Sequence, residues 1–102
     1  MKMDLEAISQ GDYSSLVGKW VSENGDGITF NVLGIVGDSK IESPSKIVEG
    51  VLETGLRNSS GYGTGWLMIP AGVPIPKGYY LENDYSDINR DRMFGAQSVL
   101  QN

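Results

Sequence analysis

Fourteen glycines are spread along this 102-residue chain, and they separate short runs of β-branched and aromatic residues. A glycine between two such runs lets the backbone take the positive φ of a tight turn without a steric penalty. Long helices are disfavoured across that punctuation. The pattern predicts an all-β domain: a small antiparallel β-barrel or strongly curled meander sheet. About six or more strands fit, with turn signals at intervals of roughly 10 residues.

The exception is the stretch from Asp4 to Gln10, which reads as a short N-terminal helix. Asp4 is a suitable N-cap, Leu5 and Ile8 share a face, and Gly11 stops it in the C′ position. So short a helix is stable only if its apolar face packs on something, which predicts a plug over a barrel end. Tyr13 to Val17 is read as a further helical turn. Lys19–Glu23 and Ile28–Leu33 read as a hairpin around Asn24-Gly25, the strongest short-range hairpin signal. Gly34 to Gly37 continues the second strand past a bulge, and Asp38 to Ser45 reads as a polar loop. Lys46 to Leu56 reads as one strand bent or bulged at Gly50. Arg57 to Gly65 reads as a turn, Trp66 to Ile69 as an apolar strand, and Tyr79 to Leu81 as a short strand. Arg92 to Leu100 is the expected last strand.

Composition narrows the chemistry. There is no Cys, which excludes a disulfide framework, a thiolate metal site and a cysteine nucleophile. There is no His, which removes the commonest general base and zinc ligand and makes a Ser-His-Asp triad impossible. No cofactor, catalytic set or metal site is expected, and the chain reads as a non-enzyme. The net charge of −5 argues against nucleic acid and against adsorption to anionic lipid by charge. No run is long and apolar enough for a transmembrane helix, and Asp4 and Glu6 interrupt any secretion signal after Lys2.

Four constellations bear on function. Gly18-Lys19-Trp20 follows a short helical turn and enters the first strand. This order resembles the closure of lipocalins, in which an Arg of the last strand packs on the Trp face. Arg92, or its neighbour Arg90, is the candidate partner, so Gly18, Trp20 and Arg92 are expected as a structural closure device. The plain alternative is a core tryptophan on a strand. Asp87, Asn89 and Asp91 match the opening of a calcium loop, but Arg92 stands where Gly is needed and Ser98 where a bidentate Glu is needed. The acids Glu42, Glu49, Glu53, Glu82, Asp84 and Asp87 are the pool for a carboxylate-pair hydrolase, read instead as a solvated surface. Tyr62, Trp66, Tyr79 and Tyr80 lie near glycine-rich turns and are the candidates for stacking on a sugar or peptide.

Three further segments run nearly the length of the chain. They are Met3-Asp4-Leu5-x-x-Ile8 with Gly11-Asp12-Tyr13-Ser14-Ser15-Leu16-x-Gly18-x-Trp20, then Ile69-Pro70-Ala71-Gly72, then Asp84-x-Ser86-x-x-x-x-Arg90-Asp91-Arg92-Met93-x-Gly95-x-Gln97. Their order resembles a domain of unknown function found in Gram-positive surface lipoproteins of streptococci, enterococci and lactobacilli. The resemblance implies an extracytoplasmic, lipid-anchored setting, with residues 1–3 a linker remnant and residues 4–102 the domain. It transfers no functional residue. The expected role is a binding or interaction module for a peptide, glycan or small apolar ligand, touching membrane only through an anchor outside this chain. The rival is a structural or assembly domain with a filled interior.

Overall fold

The computed structural model describes residues 2–42, 45–76, 86–95 and 98–102. Helix α1 spans Leu5–Ser9, and a 3-10 turn spans Ser14–Leu16. Among the described residues nine strands follow: β1 Gly18–Ser22, β2 Gly27–Phe30, β3 Ile35–Val36, β4 Ser39–Ile41, β5 Lys46–Val48, β6 Val51–Arg57, β7 Gly63–Ile69, β8 Arg92–Gly95 and β9 Ser98–Gln101. They form one antiparallel sheet in the order β2-β1-β9-β8-β7-β6-β4-β3, with β5 paired to β6. The two ends of that order, β2 and β3, are consecutive in the chain and lie against each other. The all-β sheet thus curls until it is nearly closed into a barrel.

The turns explain why several strands are shorter than their expected bounds. The chain does not bend at Gly50; it reverses there. Glu49 and Gly50 both have positive φ, at 52° and 80°, the requirement of the two-residue hairpin turn that matches strand twist. Val48 therefore pairs with Val51, and the expected single strand becomes β5 and β6. The strand expected over Ile28–Leu33 stops at Phe30. Asn31 Oδ1 accepts the main-chain N–H groups of Leu33 and Ile35, and Gly34 N–H closes back on Asn31 O. A side-chain amide that satisfies turn donors competes successfully with strand extension. The polar loop expected over Asp38–Ser45 contains β4, and the last strand is a hairpin in which Gly95 pairs with Ser98. The turn expected over Arg57–Gly65 is confined to 58–62, and its flanks belong to the β6–β7 ladder. The strand expected at Tyr79–Leu81 lies outside the described residues.

Strand alternation divides the apolar residues into two clusters. Trp20, Phe30, Ile41, Leu52, Leu56, Trp66, Met68, Met93 and Leu100 point inward, and the N-terminal segment adds Met3, Ile8 and Leu16. Val51, Leu67 and Ile69 point outward from the neighbouring positions and are covered by Ile75, with Val73, Phe94 and Val99 at the margin. The apolar run from Trp66 to Ile69 is thus explained: β7 is buried on both faces.

Candidate functional site

Trp20 is 1% exposed, and its Nε1–H donates to Leu16 O at 3.0 Å. That bond fixes the 3-10 turn to the inner wall, because Leu16 is itself fully buried. Gly18 precedes it with φ +125°, a conformation that favours glycine. Arg92 is fully buried too, but elsewhere. It pairs with Ile69, so the pleat aims it at the outer cluster, while its neighbour Met93 joins the inner one with Trp20. Its guanidinium donates from Nε to Arg90 O at 3.1 Å, and from Nη2 to the carbonyls of Pro70, at 3.2 Å, and Val73. Nη1 donates to Ser86 Oγ at 3.4 Å. A buried guanidinium has five donors to satisfy, and main-chain carbonyls of an irregular segment are suited to that demand. The expectation of Arg92 stacked on Trp20 is corrected accordingly: the two residues hold opposite faces of the wall. Arg90 is exposed and faces Asp87.

Asp91, between the two arginines, joins three parts of the chain. Oδ2 accepts the N–H of Met3 at 2.8 Å, and Oδ1 accepts that of Ala71 at 2.9 Å. Its carbonyl accepts the N–H of Asn102. Met3 is buried in the inner cluster, so the folded unit begins before Asp4, the boundary read from sequence. The carboxylates of Asp87 and Asp91, two of the three oxygen-bearing residues of the rejected calcium-loop match, are engaged by the protein itself. Asp87 Oδ1 accepts the N–H of Asn89, and Asp87 Oδ2 is 3.9 Å from Arg90 Nε. Among the described residues, no three potential metal-ligating groups converge.

The acids of the hydrolase pool are dispersed. Glu42 Oε1 lies 2.5 Å from Arg57 Nε, Glu53 is 3.7 Å from Lys46, and Glu49 is in the β5–β6 turn. Glu82 and Asp84 are outside the described residues. Asp12, exposed beside the 3-10 turn, accepts the Ser14 hydroxyl and main-chain N–H, which hold its carboxyl below the usual range. The tie is therefore present above the ordinary carboxyl range and lost as pH falls through the lowered value.

The aromatic candidates separate sharply. Tyr79 and Tyr80 lie outside the described residues. Trp66 is a core residue, with its six-membered ring lying where a side chain on Gly95 would be. Its Nε1 and Ser22 Oγ are buried without a hydrogen-bond partner among the described residues. Tyr62 is 76% exposed at the tip of the β6–β7 hairpin. The turn that presents it is held from within. Asn58 Oδ1 accepts the N–H groups of Ser60 and Tyr62, each at 3.0 Å, and Asn58 N–H donates to Tyr62 O. Arg57 Nη1 donates to Gly61 O, and the Ser59 hydroxyl donates to Asp38 of the β3–β4 turn at 2.8 Å. Gly55 and Gly63 permit this arrangement. A Cβ on Gly55 would stand 2.5 Å from Glu42 Oε2, and one on Gly63 would stand 3.0 Å from Arg57 Nη2. Sequence reasoning found Tyr62 but missed the Asn58 side chain and the Glu42–Arg57 pair that steady its turn. The signal was an Asn opening a Ser- and Gly-rich turn, with an oppositely charged pair of distant residues that only the β4–β6 register brings together.

The whole chain, residues 1–102, matches the model of a domain of unknown function, DUF6287. The chain belongs to this family. No curated protein and no solved structure matches the chain. Among the described residues, no helix is long and apolar enough to cross a membrane.

Proposed function

We propose that this DUF6287 domain is a non-catalytic binding or interaction module of a Gram-positive cell-surface lipoprotein, working outside the cytoplasm. The observation that carries the reading is the polarity of the barrel. Met3 and Asn102 meet at Asp91 at one end. The β1–β2, β3–β4 and β6–β7 turns lie at the other, where Tyr62 stands exposed on a preorganised loop. A tethered module needs one end for attachment and a rigid surface at the other for contact. Tyrosine presents a large amphipathic area with little side-chain entropy to lose, and a loop fixed by its own hydrogen bonds loses little more. The interior favours a surface ligand, a peptide or glycan, over a small apolar molecule in the barrel. Trp20, Phe30, Leu52, Met68 and Met93 fill it. The same filling supports the second reading, a structural or assembly domain, in which the Tyr62 turn contacts a neighbouring domain.

Two measurements test the proposal. Trypsin shaving of intact Gram-positive cells that express the protein with its natural upstream sequence is expected to release peptides of this domain. Their appearance only after lysis would overturn the location. Co-sedimentation of the purified domain with isolated cell-wall sacculi, and NMR titration with soluble wall glycan and peptide fragments, address the contact. Shifts centred on Tyr62 that vanish in Tyr62→Ser are the expected result. No binding in either assay would leave the assembly reading.

A further inference from the structure

The N-terminal segment is fastened to the barrel differently from every strand. Among the described residues, its tertiary main-chain hydrogen bonds are Met3 N–H to Asp91 Oδ2 and Asp4 N–H to Ser15 Oγ at 3.0 Å. Its other bonds are local: Ala7 N–H to Asp4 Oδ1, Ile8 N–H to Asp4 O, and the turn closing at Gln10 to Asp12. Met3 and Ile8 enter the inner cluster, half-buried Leu5 packs against it, and α1 lies against β5 and β6. A five-residue helix has no stability of its own once that face is released. The fastening changes abruptly after Gly11. Gly11 has φ +93° and open space around its Cβ position, and the hydrogen bonds of Gly11 and Asp12 N–H run back to Ile8 and Ala7 of the same segment rather than to the barrel. The next turn is secured independently, by buried Leu16 and the Trp20 indole bond to its carbonyl.

We propose that residues 3–10 form a lid that detaches as a unit about Gly11–Asp12 while the barrel stays folded. Asp91 is its latch. Opening withdraws Met3, Leu5 and Ile8 and uncovers the part of the inner cluster bordered by β5 and β6, at the end where the chain termini meet. Leu16 and Trp20 remain in place and form the fixed rim.

Native-state hydrogen exchange by NMR tests this on the unmodified chain. The amides of Met3, Asp4, Ala7 and Ile8 are bonded in the closed form and report opening. They are expected to exchange roughly 100-fold faster than the β6–β7 ladder amides, with the Trp20 indole N–H as protected as the ladder. Asp91→Asn removes a charged acceptor and is expected to speed the four lid amides a further tenfold or so, as loss of one charge-assisted bond predicts, leaving the ladder unchanged. Ser15→Ala, which removes the other tie, is expected to act in the same direction. The proposal is overturned if the lid amides exchange only at the ladder rate. It is equally overturned if the Trp20 indole opens together with them, or if Asp91→Asn speeds lid and ladder alike.

Discussion

Trp20 and Gly95 show how single residues set the limits of this fold. Trp20 combines complete burial with a hydrogen bond that pins the preceding turn. Trp20→Ala is expected to cost about 3–5 kcal/mol, measured by chemical denaturation, because a large cavity opens and Leu16 O loses its donor. A melt that barely moves would show that the core closes without it. Gly95 is needed for a different reason. A Cβ there would meet Trp66 Cε3 at 2.0 Å, and the indole is packed too deeply to give way. Gly95→Ala is expected to cost about 1–3 kcal/mol through overpacking. In a Trp66→Leu background the same substitution is expected to cost less, since the two sites share the same space, and a double-mutant cycle would read the difference. Trp20 was legible in the sequence as a core or closure residue because Gly-x-Trp announces itself. Gly95 was not, because what excludes its side chain is a tryptophan 29 positions away (95 − 66), brought over it by strand pairing.

At the scale of elements, the hairpin turns carry the architecture, and they were read unevenly. Asn24-Gly25 was recognised because its residue types state the turn. Glu49-Gly50 was not, because Glu is a poor residue for positive φ and the flanking apolar residues read as one strand. The mismatch is a strained position with a clear remedy. Glu49→Asn is expected to raise stability by about 0.5–1 kcal/mol, since Asn tolerates the left-handed region better than Glu, and the gain should appear in the denaturation midpoint with an unchanged slope. A loss of stability would mean that Glu49 makes a contact that offsets its backbone strain. The N-terminal helix was legible almost to the residue, because cap, apolar spacing and terminating glycine all agree: Asp4 accepts from Ala7 N–H, and α1 ends at Ser9. Arg92 was legible as important but assigned to the wrong face. Its orientation depends on the parity of the β8 register, which one residue of slip would invert.

At the scale of the molecule, two apolar clusters on opposite faces of one curled sheet account for a fold without disulfides or metal-binding histidines. The all-β, barrel-like outline followed from glycine spacing and alternation alone. The candidate site followed only in part, since an exposed Tyr can be guessed from a glycine-rich turn, whereas its presentation rests on Asn58, Arg57 and Asp38, contributed by two separate segments. The meeting of Met3 and Asn102 at Asp91 has a topological consequence. The backbone is nearly a closed ring, interrupted at one place, and where that interruption falls should matter little to the native packing. A circular permutant that joins residue 102 to residue 3 through a few glycines, and is opened anew between Ser59 and Ser60, is expected to fold to the same barrel. Its amide spectrum should differ mainly around Asp91 and the cut turn. A permutant that fails to fold would show that chain order, and not only the final contacts, directs the sheet to curl.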